Sequence, residues 1–384
     1  MIRLYFLTTE EKRWVLKGLL PRARANAVTD ELRGWNWPYP PLAPSSEVPL
    51  AVYEVAGRYC ATGRDLYLRR VAHVKAQPND EMAAGSFYHA VVTAAMVEAK
   101  RLIYTLGPGG SSEAVAKIRG LADDGNGFWD RLTGSPAGAP ESASTSGPPG
   151  GSRRRPTPEV LTNGRRLASF EGSRLASRLE EALASQPHSG EDSLAATVVP
   201  VITEQRLNGT FLGLSPHLST DALYVGESMI VDLKFGRPEE FHRLTTTGYA
   251  LVQESLSEHP IDLGCIVYCE FKGGKLAITR DIHIISDELR QWFIEERDQK
   301  ATMVRDQWDP GVGVGVGCRN NCPFRAQCKE DVPPLEKQKP AEAGDANGTV
   351  EGRGTSHAES KGADVKEKAS TRSRRVRKNT SVVA

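Results

Sequence analysis

Residues 219–235 read STDALYVGESMIVDLKF, and the way this stretch pairs with itself decides the fold. Two β-like runs, 222–225 and 229–233, flank Gly226-Glu227, which has the composition of a two-residue Gly-X hairpin turn. A turn centred there sets Asp221 directly opposite Asp232, with Cβ atoms roughly 4.5 to 5.5 Å apart. Side chains alternate along a strand, so Lys234 shares the face of Asp232. Like charges directly opposed weaken a hairpin unless something cationic sits between them, and a divalent metal is the simplest candidate. Carboxylate donors suit Mg²⁺ or Mn²⁺, ions that cleave phosphodiesters by activating water and neutralising phosphate charge. Lys234 would then orient the attacking water or hold the scissile phosphate. The competing reading is a solvent-facing hairpin with scattered charges, because Asp-x-Lys is common by chance.

Outward from the hairpin, further β-like runs fall at 195–202, 210–214, 264–270 and 276–285, with helical stretches at 239–255 and 286–300. In the first of these helices His242, Thr245, Tyr249 and Gln253 form a polar stripe. Phe241, Leu244, Gly248, Leu251 and Val252 form the opposite, core-like face; the stripe also fits a plain wet side. Upstream, Leu167, Phe170, Leu175, Leu179 and Leu183 predict an amphipathic helix over 165–186. Tyr88, Val91, Val92, Ala95 and Met96 repeat at helical spacing after Gly85-Ser86. Ser86 is the natural N-cap there, which puts His89 at the third helical position, presented to a cleft. Taken alone, such a histidine is more often a satisfied helix residue than a ligand. The expected fold is α/β: a mixed sheet flanked by helices, with a helical N-terminal part.

The 384 residues hold 49 Lys+Arg against 48 Asp+Glu, so net charge points to no partner, and 39% hydrophobic residues exclude disorder throughout. No apolar run approaches the roughly 18 residues of a membrane helix, and the first residues lack signal-peptide order, so a soluble cytoplasmic protein is expected. Residues 134–158 are nearly all Gly, Pro, Ser, Ala and Thr and read as a flexible insertion. Residues 331–384 read as a disordered tail with 11 basic against 8 acidic residues, a composition that suits solvation as well as nucleic-acid contact. The expected organisation is therefore an N-terminal part over 1–106, an insertion over 107–158, a core over 159–330 and the tail.

Cys318, Cys322 and Cys328 place three thiols within 11 residues, a density that points to a metal centre. Cys60, in a polar setting, is the candidate fourth ligand. Cys265 and Cys269 sit in the apolar run GCIVYCE, where buried thiols are the default. Structural zinc favours two close pairs, whereas three clustered cysteines with a distant fourth are more typical of an iron-sulfur cluster; the spacing leaves both open. Either would tie the start of the domain to its end.

Gly-Ser-x-x-His with His89, then Asp221, Asp232-Leu-Lys234, the Tyr249 helix and one N-terminal cysteine with a C-terminal trio together resemble the RecB-like nuclease family. The pattern is most similar to its CRISPR-associated exonuclease branch with a four-cysteine iron-sulfur cluster. Residues 31–37, ELRGWNW, and 52–65, VYEVAGRYCATGRD, resemble the archaeal type I-A form. The resemblance covers about 1–107 and 159–328. It implies a restriction-endonuclease-like fold, with His89, Asp221 and Asp232 as ligands of Mg²⁺ or Mn²⁺. It also implies Lys234 as the catalytic lysine, Tyr249 as a supporting residue, and a 4Fe-4S cluster on Cys60, Cys318, Cys322 and Cys328. Two departures stand out: many relatives carry Glu at the place of Asp232, and the Gln four residues before the tyrosine is Thr245 here.

The implied activity is metal-dependent exonuclease cleavage of single-stranded DNA ends, 5′ to 3′ by family analogy, trimming fragments for CRISPR spacer acquisition beside the integrase proteins. Arg58, Arg64, Arg69 and Arg70 are candidates to draw DNA in, or a solvated helix face. The alternatives are a non-catalytic iron-sulfur scaffold or DNA-binding subunit of the adaptation complex, and a zinc protein with no redox centre.

Overall fold

The computed structural model describes residues 6–25, 28–77, 79–123, 127–133, 156–224, 229–312 and 321–330, with the backbone alone at 202–204, 221–224 and 330. Residues 124–126 and 134–155 of the expected insertion and the whole expected tail lie outside these residues. Five strands form one sheet in chain order: β1 Val201–Leu207, β2 Leu218–Tyr224, β3 Met229–Lys234, β4 Leu263–Lys272 and β5 Lys275–Ile284. β3 and β4 run parallel and every other neighbouring pair runs antiparallel. A parallel pair needs a crossover, supplied here by the Arg243–Ser257 helix.

Strand alternation then divides the core. Met229, Val231 and Leu233 of β3 join Leu263, Cys265, Val267 and Cys269 of β4 in one cluster. That cluster lies under the Asp80–Leu106 and Pro158–Ser185 helices. On the other face Ile230 packs with Ala250, Ile261 and Ile285. Leu244, Leu251 and Val252 of the crossover helix pack with Phe293 and Ile294 of the Asp287–Arg305 helix. Strands covered on both faces read as nearly unbroken apolar runs, which is why 229–233 and 264–270 were legible. Each fully buried aliphatic side chain contributes about 1.5 to 3 kcal/mol.

Three local expectations are corrected. The 195–202 run is not a strand: a helix occupies Glu191–Val198, with acidic Glu191 and Asp192 in its first turn, and the strand starts only after Pro200. Carboxylates stabilise the positive N-terminal end of a helix, and proline forbids its continuation, so local electrostatics and chain geometry outweigh the β-branched residues Thr197 to Val199. The 210–214 run is a 3-10 turn over Thr210–Leu212, where the Asn208 side chain accepts from the Thr210 N–H at 3.0 Å. Ser86 caps nothing: the helix begins at Asp80 under Asn79, whose side chain accepts from the N–H groups of Glu81 and Met82. His89 therefore lies well inside the helix.

A buried ion cluster fastens the N-terminal segment to this frame. Glu254, fully buried, meets Arg290 at 2.7 Å and Arg33 at 2.8 Å, and Arg33 also meets Asp262 at 2.7 Å. A Cβ at Gly34 would collide with the carbonyl of Leu251, so glycine allows this close approach. The first part of the expected insertion joins the core, since Ile118, Phe128 and Trp129 belong to the cluster under the long helices. No helix among the described residues is long and apolar enough to cross a membrane.

Candidate functional site

β2 and β3 pair Ala222 with Val231 and Leu223 with Ile230. One step further, the same register sets Asp221 opposite Asp232, as the hairpin arithmetic requires; the Gly226-Glu227 turn itself lies outside the described residues. Asp232 is 5% exposed, and Lys234 Nζ lies 2.9 Å from its Oδ2. Both project to the face covered by the Arg243–Ser257 helix, where Tyr249 packs against the cluster of Ile230, Ala250, Ile261 and Ile285. Thr245, one turn earlier, is buried, as are His242, Thr246 and Thr247. The polar stripe of this helix is thus an interior surface rather than a wet side.

His89 reaches the end of β3 through its neighbour: the imidazole meets the Phe235 ring edge to face at 5.0 Å. Phe235 follows Lys234 in the chain, so the Asp80–Leu106 helix and the Asp232 strand converge at that strand end. The Asp221 side chain is not described. Among the described residues no three His, Cys, Asp or Glu side chains gather into a metal-holding group.

Beside Lys234 in the parallel register stands Tyr268, a residue the apolar reading of GCIVYCE passed over. Burial first, then the charges of Asp281 and Asp232, push its phenol up to about 12. Its hydroxyl lies 3.2 Å from His242 Nδ1, and His242 Nε2 lies 2.8 Å from the hydroxyl of Tyr59. The available signal was pairing: the tyrosine sits on the strand that must lie next to Asp232-Leu-Lys234. Further along the same face, His283 bonds Thr246 at 3.0 Å over Gly264, where any Cβ would strike the imidazole. Burial lowers His283 to about 4, so this imidazole is neutral at ordinary pH.

The arginines proposed to draw in DNA are largely committed elsewhere. Arg64 is 6% exposed and forks onto Asp309 at 2.8 and 2.7 Å. Arg70 pairs with Glu54 at 2.8 Å, and Arg69 lies over the rings of Tyr53 and Phe324. Arg58 pairs with Glu296 at 3.2 Å while keeping a side-chain exposure of 45%. Two of these guanidiniums, Arg64 and Arg69, reach across a seam to Asp309, Phe324 and Cys328, a role that local sequence spacing does not show.

That seam is where the cysteines fall. Cys60 Sγ lies 3.6 Å from Thr62 Oγ1, which donates to the Gly311 carbonyl. Arg64 donates both to Asp309 and to Cys328 Sγ, the latter at 3.6 Å. The Gln77 N–H meets the Pro323 carbonyl at 2.9 Å, and Asn79 donates to the Asn321 carbonyl at 2.7 Å. Thr62, Arg64, Gln77 and Asn79 thus meet Asp309, Gly311, Asn321, Pro323 and Cys328 directly, with Cys60, Cys322 and Cys328 all half-buried. Cys318 lies outside the described residues. Cys265 and Cys269 are buried in the apolar cluster, where burial pushes both thiols up, Cys269 to about 12.

Comparison with known proteins bears on the whole arrangement. No solved structure matches the chain. A protein of Thermoproteus tenax named CRISPR-associated exonuclease Csa1 is 27% identical over 315 residues, which is 81% of this chain and 96% of that protein. One of the same name from Saccharolobus solfataricus is 28% identical over 313 residues, 78% of this chain and 92% of its own length. The family described as CRISPR-associated exonuclease Csa1 matches residues 5–121 and 155–331, taking in the paired strands, the crossover helix and both sides of the cysteine seam. The gap in that match falls on the Gly/Pro/Ser-rich stretch, and the match stops where the basic tail begins. On this coverage the chain belongs to the CRISPR-associated exonuclease Csa1 family.

Proposed function

We propose that the chain is a metal-dependent deoxyribonuclease of RecB-like architecture that shortens single-stranded DNA ends, 5′ to 3′, for CRISPR spacer acquisition. The carrying observation is the β2–β3 register, which sets Asp221 opposite Asp232 while Lys234 sits 2.9 Å from the buried Asp232 carboxylate. A carboxylate this deep stays charged only beside cations, and Lys234 is one such partner. Asp221, Asp232 and His89 would hold Mg²⁺ or Mn²⁺, the two carboxylates supplying the oxygen donors that these ions favour. Bound there, the ion would lower the pKa of a water and neutralise phosphate charge. Lys234 would hold the scissile phosphate beside Asp232, and Tyr249, packed against the cluster that contains Ile230, would keep the crossover helix seated over the strand.

Cys60, Cys318, Cys322 and Cys328 would hold a 4Fe-4S cluster that clasps the two chain ends. The meeting of Cys60 and Cys328 with a shared Thr62–Arg64 segment supports that reading. The CRISPR integrase proteins are the proposed partners.

The test is cleavage of end-labelled single-stranded DNA by anaerobically purified protein with Mn²⁺, beside an Asp232→Ala/Lys234→Ala variant. Stepwise loss from the 5′ end by the intact protein alone is expected. Equal silence of both proteins, with DNA still bound, would hand the role to a scaffold.

A further inference from the structure

Three side chains outside the proposed ligand sets form a continuous chain over the helix-covered face. Tyr59 lies one residue before Cys60, His242 opens the crossover helix, and Tyr268 stands on β4 paired in register with Lys234. The links measure 2.8 Å from Tyr59 to His242 Nε2 and 3.2 Å from His242 Nδ1 to Tyr268. His242 and Tyr268 are 4% and 3% exposed, so water competes little for either link. An imidazole between two hydroxyls can donate from one nitrogen and accept at the other, and either tautomer closes the chain.

Tyr59 is rigid despite its half-exposed ring, because Phe241 meets it edge to face at 5.0 Å. Tyr268 also takes a hydrogen bond from the Glu239 backbone, which ties the turn after Lys234 to the same point. Its high pKa keeps the phenol protonated across any working pH. The geometry therefore spans three separate elements and ends beside the lysine.

We propose that Tyr59, His242 and Tyr268 are positioning residues that hold the Lys234 strand end in register with the crossover helix, aiming the Lys234 ammonium at the scissile phosphate. This rests on the nuclease reading. The chain also gives the cysteine loop a mechanical route to the active strand, since moving the Tyr59 backbone breaks its first link.

The test compares full-length protein with Tyr59→Phe, Tyr268→Phe and the double variant on single-stranded DNA with Mn²⁺. Each single change is expected to lower kcat about 10-fold with KM held within about twofold. The double variant should be no worse than the worse single one, because opening either link opens the chain. Losses that multiply in the double variant, or a rise in KM alone from Tyr59→Phe, overturn the proposal; the latter would mean that Tyr59 touches DNA itself.

A second readout separates this from failure of the nuclease reading. With lysines carrying ¹³C-methyl labels, the Lys234 resonance should move in Tyr59→Phe, three elements away, even if the protein cleaves nothing. A Lys234 resonance unmoved in that variant overturns the proposal whatever the activity.

Discussion

Under the Asp80–Leu106 and Pro158–Ser185 helices, β3 and β4 present Val231, Leu233, Cys265 and Val267 to a large apolar cluster. On the opposite face the same two strands present Asp232, Lys234, Gly264 and Tyr268 to a crossover helix laced with His242, Thr245, Thr246 and Glu254. Both faces are dry, but they are held by different forces. The apolar face gains from area removed from water, which is non-directional and tolerant of small shifts. The polar face depends on fixed hydrogen-bond and ion-pair geometry, where a lost partner leaves a costly buried charge. Precision at a reacting centre has to be built on the second kind of surface, and the first supplies the stability that supports it.

Substitutions should divide along the same line. Lys234→Ala is expected to reduce DNA cleavage by at least about 10³-fold, and also to lower the melting temperature, because it leaves the buried Asp232 carboxylate without its ammonium partner. Single-turnover cleavage beside thermal unfolding checks this. Glu254→Gln should cost about 3 to 5 kcal/mol in denaturant unfolding, because Arg33 and Arg290 would be left buried beside a neutral amide. Leu233→Ala, on the apolar face, should cost about 2 to 5 kcal/mol of stability and leave kcat of the folded fraction intact. If Leu233→Ala removed activity from the folded fraction as thoroughly as Lys234→Ala, the two faces would not be functionally distinct.

The smallest expected effect is on pH dependence, and the polar face contributes to it through two groups. His283 is lowered from 6.5 to about 4 by burial, partly offset by Asp281. Its unfolded form takes up a proton first, so its contribution is complete above pH 6.5 and is lost as pH falls toward 4. Glu254 adds to the loss at the acid end. Burial opposes its charge, but Arg290 and the N–H groups of Gly34 and Ile261 outweigh that and hold it below the usual carboxylate value. Its contribution therefore disappears as pH falls through the carboxylate range. His283→Gln should flatten the stability profile between pH 6.5 and 4, measured by urea midpoints at closely spaced pH values. An unchanged slope would show that another group carries the acid sensitivity.

The apolar face was the more legible of the two in the sequence. Val231, Leu233, Cys265 and Val267 lie in short apolar runs that local pattern identifies, and the Asp221 to Asp232 register followed from strand alternation around one turn. The polar face was only partly visible. Asp232 and Lys234 could be found because their spacing is local, whereas Glu254 meets Arg33 across 221 residues of chain and Tyr59 meets His242 across 183. No periodicity encodes such meetings. His242 and Thr245 looked like the wet side of a helix because their buried partners, Tyr268 among them, belong to other elements. The misplaced helix start before His89 has a local cause: Asn79 offered a cap one and a half turns upstream of Gly85-Ser86, with Asp80 and Glu81 completing the first turn.

The most direct test is calorimetric titration of Mn²⁺ into full-length protein and into Asp221→Ala, Asp232→Ala and Leu233→Ala. The account predicts one tight site in the intact protein and in Leu233→Ala, and its loss in either aspartate variant. Equal binding by all four proteins would contradict the claim that Asp221 and Asp232 hold the metal.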